Sequence, residues 1–135
     1  MTHVLLVDDD SDLIESNRLY LESRGYTVST AYSGKEGWEL LAKDTPDILI
    51  LDCMMEEFTT GFELAWDIGI KYPKLPMIML SGVREYMSAD WNFGQGDKEW
   101  LPIHHFMEKP VAPDLLYNEI QRMLDAAQKM NSTNA

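Results

Sequence analysis

Residues 47–52 read Asp47-Ile48-Leu49-Ile50-Leu51-Asp52, four large aliphatic side chains in a row between two carboxylates. A short apolar run without polar alternation suits a strand covered on both faces, as in the middle of a parallel sheet. Three more runs share the pattern of ending on a chemically useful residue. Val4-Leu5-Leu6-Val7 leads to Asp8 and Asp9, Met77-Ile78-Met79-Leu80 to Ser81, and His105-Phe106-Met107-Glu108 to Lys109. Parallel strands end on one edge of their sheet, so these residues are expected to converge in one crevice. Carboxylates, a hydroxyl and an ammonium gathered there suit a divalent cation and a phosphoryl group.

The stretches between the runs read as helices. Strand one is expected over His3 to Val7, followed by a helix capped by Ser11 and Asp12, carrying Leu13, Ile14, Tyr20 and Leu21 near helical spacing and ending at Gly25. Tyr26 to Ala31 reads as strand two, and Ser33-Gly34 opens a helix through Leu41 that Pro46 stops. Asp47 to Leu51 is strand three, Gly61 to Tyr72 a helix, Pro76 to Leu80 strand four and Ile103 to Glu108 strand five. Pro113 opens a last amphipathic helix with Leu116, Ile120, Met123, Leu124 and Ala127 on one face. The alternation predicts an α/β fold: a flavodoxin-like, doubly wound, five-stranded parallel sheet of order 2-1-3-4-5, with helices on both faces. A single domain is expected over 1–130, with a frayed tail over 131–135. The irregular region is Val83 to Pro102, with Trp91, Phe93 and Trp100.

Composition narrows the function classes. At 135 residues the chain is large enough to bury roughly 68% of its unfolded surface without staples. A formal net charge of -12 argues against direct binding of nucleic acid, which draws on clustered Lys and Arg. The single cysteine, Cys53, excludes an internal disulfide and fits a reducing compartment. No basic segment is followed by a long apolar stretch, and no run approaches the ~20 apolar residues of a membrane span, so no membrane association and a cytoplasmic location are expected.

Asp8, Asp9 and Asp52 belong at the ends of neighbouring strands in that sheet order. Two carboxylates about 4 Å apart repel by roughly 4 kcal/mol at an effective dielectric near 20, and a cation relieves the repulsion. Mg2+ is favoured because few protein ligands, several waters and a phosphate oxygen fit its octahedral habit. Asp52 can then act as a nucleophile toward phosphorus, while Lys109 and Ser81 receive phosphoryl charge. Asp10 and Asp12 read as helix-capping carboxylates.

Taken together, the motifs VLLVDDD, DILILD, MIMLSG and MEKP resemble the receiver domain of two-component response regulators over about Thr2 to Lys129. By that resemblance Asp52 is the phosphoacceptor and a Mg2+ ligand, with Asp9 binding Mg2+ directly, Asp8 largely through water, and Met54 through its backbone carbonyl. Ser81 and Lys109 contact phosphate, and Phe106 is the switching aromatic of strand five. The resemblance implies no enzymatic turnover of a separate substrate beyond self-phosphorylation and slow dephosphorylation. It also implies a histidine kinase or phosphotransfer protein as donor and a downstream protein target, with homodimerisation left open.

The chain departs from the family pattern in places. Proline is replaced by Glu56 after the phosphoacceptor, and Glu56 with Glu57 adds negative charge beside the site. Met54 and Val83 stand where the family tunes loss of the phosphoryl group, and neither side chain can orient an attacking water, so slow dephosphorylation is expected. Between Ser81 and Lys109 the chain is longer than the family pattern, and Trp91, Phe93, Trp100, His104 and His105 are candidates for a partner surface. Two alternatives stand beside the phosphoacceptor reading. One is a degenerate receiver that binds partners without phosphorylation; the other is a haloacid-dehalogenase-type phosphatase, with Asp8 as its nucleophile.

Overall fold

Successive side chains of a strand face opposite sides of its sheet, so an unbroken apolar run supplies two cores at once. The computed structural model describes residues 2–52, 60–81, 105–109 and 111–133. Within them the elements are β1 (His3–Val7), α1 (Ser11–Ser23), β2 (Thr27–Ala31), α2 (Gly34–Lys43), β3 (Ile48–Asp52), α3 (Thr60–Lys71), β4 (Met77–Ser81), β5 (His105–Glu108) and α4 (Pro113–Thr133). The strands form one parallel sheet in the order β2-β1-β3-β4-β5, as expected from the motif pattern.

The two cores follow the alternation. Leu5, Val7, Leu49, Leu51, Met77 and Met79 face α2 and α3, where they meet Leu41, Ala65 and Ile68. Val4, Leu6, Ile48, Ile50, Ile78 and Leu80 face the other way and meet Leu21 of α1 and Leu116, Ile120 and Met123 of α4. In β3 all five residues are buried, which is why its sequence shows no polar alternation.

Local chemistry sets the element ends. Of the residues read as capping, Asp10 is the one that caps α1, in place of Ser11 and Asp12: its Oδ1 accepts from Asp12 N at 3.1 Å and Leu13 N at 3.2 Å. A cap must keep extended backbone, which Asp10 has, while Ser11 already lies in the helix. Gly25 follows with φ 97°, a left-handed conformation that costs glycine little. Tyr26 N still donates to Leu21 O at 3.2 Å, so β2 starts at Thr27, one residue later than predicted. Ser33 caps α2 by accepting from Glu36 N at 3.2 Å. Strands β3 and β4 each extend to the chemical residue itself, Asp52 and Ser81.

Helix α4 begins at Pro113 as predicted but continues through Thr133, where a frayed tail was expected from 131. No Gly or Pro follows Ala127 to stop it. The start of strand five at Ile103 and the stretch Val83 to Pro102, with Trp91, Phe93 and Trp100, lie outside the described residues.

One helix approaches the sheet closely. A Cβ built on Gly37 of α2 would lie 2.9 Å from Val7 Cγ2, so only glycine allows α2 to sit this near the end of β1. That contact braces the strand end from which Asp8 and Asp9 emerge.

Candidate functional site

At the carboxyl edge the ladder brings the chosen residues together. Val7 pairs with Leu51 and Asp52 with Leu80, so the ends of β1, β3 and β4 are level. Asp8 N extends the β1–β2 ladder by donating to Ala31 O at 3.0 Å, which fixes the backbone that carries the first carboxylate. Asp10 N donates to Asp8 Oδ1 at 2.9 Å and fixes the side chain.

One carboxylate oxygen from each of Asp8, Asp9 and Asp52 lies within 4.8 Å of the others. Asp8 is 5% exposed and Asp52 3%, whereas Asp9 is exposed, so the cluster has a dry floor and a wet side. Lys109, directly after β5, reaches in from the edge of the sheet. Its Nζ lies 3.1 Å from Asp8 Oδ2 and 3.3 Å from Asp52 Oδ1. Burial works against the Lys109 ammonium, but the Asp52 charge and the hydrogen bond to Asp8 together outweigh it and raise its pKa above the usual lysine value. One ammonium among three carboxylates leaves the cluster net negative. Its donors are hard oxygens, few in number and open to water on the Asp9 side, and that set fits Mg2+ better than a Ca2+ cage.

The other candidates are placed less fully. Ser81 closes β4 opposite Glu108, and Phe106 lies opposite Met79 in β5; their side chains lie outside what is described. Met54, Val83, Glu56, Glu57 and His104 also lie outside the described residues. His105 is paired instead with Glu119 of α4, Nδ1 to Oε1 at 3.6 Å, away from the cluster. A cleft of about 790 Å3 sits at the opposite, amino edge of the sheet, bordered by Pro46, Asp47, Tyr72, Pro76 and Leu124. None of the converging residues borders it, so the chemistry belongs to the carboxylate edge.

Sequence reasoning missed Asn17. It is buried in α1 beside the site, and its signal was a polar residue set in the stripe formed by Ile14 and Leu21.

Comparison with known proteins agrees with this geometry. The model of the response regulator receiver domain matches residues 4–121. The chain belongs to that family. Among its relatives, this receiver domain is 37% identical over 123 residues to the transcriptional regulatory protein GlrR of Escherichia coli K12, covering 91% of this chain and 26% of that protein. It is 31% identical over 129 residues to the response regulator SaeR of Staphylococcus aureus USA300, covering 96% of this chain and 53% of that one. The receiver domain thus spans about a quarter to about half of these relatives. A receiver domain protein from Methanospirillum hungatei JF-1 superposes with a TM-score of 0.80 at 23% identity, over 96% of this chain and 98% of that one. Response regulator TrrA from Thermotoga maritima, solved in complex with Mg2+-BeF, superposes with a TM-score of 0.75 at 25% identity, over 90% of this chain and 98% of that one.

Among the described residues no helix is long and apolar enough to cross a membrane.

Proposed function

We propose that this receiver domain accepts a phosphoryl group on Asp52 in a Mg2+-dependent reaction and thereby switches a protein-interaction surface. The observation that carries the reading is the cluster of Asp8, Asp9 and Asp52 with Lys109 against two of them. Asp8, Asp9 and Asp52, with the Met54 carbonyl, would hold Mg2+, which when bound offsets phosphoryl and carboxylate charge. Support comes from the family and from TrrA, which was solved in complex with Mg2+-BeF.

An Asp52 carboxylate oxygen forms a bond to phosphorus, and the bond from phosphorus to the donor atom breaks with its electron pair leaving on the donor. Lys109 then finds phosphoryl oxygens where it had carboxylates, and the Ser81 hydroxyl donates to one of them. Phe106 is the switching aromatic of this reading. The donor is a histidine kinase or phosphotransfer protein, the output a protein contact, and the location cytoplasmic. A net charge of -12 argues against direct binding of nucleic acid by this domain.

Incubation with Mg2+ and acetyl phosphate followed by intact mass is expected to give one phosphoryl adduct. The adduct should not form when EDTA replaces Mg2+, nor in Asp52→Asn. An adduct that survives Asp52→Asn would overturn the assignment, and no adduct at all would favour a degenerate receiver. With the family established, the phosphatase alternative has no observation in its favour.

Met54 and Val83 make the same reading quantitative. Neither residue can activate water, so the phosphorylated protein is expected to decay slowly. The double substitution Met54→Asn with Val83→Glu should hasten decay by about 100-fold, the low end of what a positioned acid–base group contributes. Unchanged decay in this variant would remove both residues from the proposal.

A further inference from the structure

Among the described residues the buried charged and amide side chains are Asp8, Asp52 and Asn17, with Asn17 3% exposed; the Tyr26 hydroxyl is also buried. The first two belong to the site and the third has no assigned role. Asn17 Oδ1 has no hydrogen-bond partner among the described residues. A buried amide oxygen left alone is destabilising, and such groups are ordinarily met by protein or by ordered water.

The space beside it explains how. Asn17 and Asp8 both border a cavity of about 10 Å3 whose remaining lining is apolar, with Leu6, Ile14, Ile50 and Leu80 prominent. That volume is about what one water occupies, and a buried water needs polar partners on at least two sides. Asn17 and Asp8 are the two polar residues of the lining. Asp8 is otherwise held by Asp10 N on Oδ1 and Lys109 on Oδ2, and a carboxylate oxygen has room for a further donor.

We propose that Asn17 is a positioning residue for the cation site: a single buried water donates one proton to Asn17 Oδ1 and the other to Asp8, and so fixes the Asp8 carboxylate from below. The inference rests on the reading that Asp8, Asp9 and Asp52 hold Mg2+. Partners one step behind metal ligands orient them, and their loss typically weakens metal binding by about 10-fold to 100-fold.

The test separates this role from plain packing. Leu fills the volume of the amide and part of the cavity, and it removes the unpaired oxygen. Asn17→Leu is therefore expected to raise Tm while weakening Mg2+ binding, read by calorimetric titration of the whole chain, about ten-fold. Asn17→Ser, which keeps an acceptor and leaves room for water, should bind Mg2+ within about two-fold of the parent, while Asn17→Ala should not. Should Asn17→Leu fail to fold, the Ser and Ala pair decides alone.

Water-17O relaxation dispersion without metal gives an independent readout. Asn17→Leu should lose one long-lived internal water. Mg2+ binding unchanged in Asn17→Leu, or an unchanged count of internal waters, overturns the proposal. If the parent chain binds no Mg2+ but the internal water is lost in Asn17→Leu, the metal reading fails and the water between Asn17 and Asp8 stands.

Discussion

Lys109→Met is expected to leave the chain folded but less stable by about 3 kcal/mol at neutral pH without metal, the low end for breaking a buried ion pair because the lysine side chain is 22% exposed. The loss arises from what remains. Asp8 and Asp52, both nearly inaccessible, would face each other and Asp9 with no cation among them. Mg2+ is expected to restore more stability to the variant than to the parent, because in the parent it competes with the ammonium. A ligand at 100 times its dissociation constant stabilises by about 2.7 kcal/mol, enough to recover most of the deficit.

The pH dependence of this difference has a definite sign. The folded-state pKa of Lys109 is raised above 10.5, so its contribution is complete below that value and is lost as pH climbs through the folded pKa. The parent's advantage over Lys109→Met should therefore persist from neutral pH up to that window and shrink above it. Urea unfolding with EDTA and with Mg2+ checks both points. Equal midpoints for parent and variant in EDTA would show that Lys109 does not hold the carboxylates.

Leu49→Ala is expected to cost about 3–4 kcal/mol and to lower Tm by roughly 10 °C. Leu49 is fully buried in β3, among Leu5, Leu51, Met77 and Met79 on the α2–α3 face. Truncation removes its own burial and leaves a cavity that the two flanking strands, β1 and β4, cannot close. Ile70→Ala, at a side chain 65% exposed on α3, should change stability by no more than about 0.5 kcal/mol. Thermal unfolding of both variants makes the comparison, and a loss below about 1 kcal/mol for Leu49→Ala would mean that the core repacks around it.

Much of this fold is legible because burial on both faces leaves a plain mark. Val4 to Val7 and Ile48 to Leu51 carry no polar residue, as suits strands covered on both faces. The edge strand β2 is only half covered, so its alternation is softer and its start at Thr27 was misjudged by one residue. The cap at Asp10 needed backbone angles, since Asp10, Ser11 and Asp12 are all good capping residues by type. Convergence of Asp8, Asp9 and Asp52 followed from strand order. The two contacts of Lys109 did not, because they depend on how far a long side chain reaches across the sheet. Asn17 escaped notice because a helix stripe is read from its apolar members, and a polar residue among them looks like an interruption.

The lysine contact also has a mechanical side. Lys109 and Asp8 stand 101 residues apart in the chain, and in the sheet β3 and β4 lie between their strands. A single side chain thus works as a tether from the outermost strand to the middle, and the backbone that follows it runs into α4 through Val111 and Ala112. On the proposed reading, phosphoryl transfer to Asp52 changes the charge that the inner end of this tether meets, and so would reach the border of the sheet and the helix attached to it, at a distance from the reacting atom.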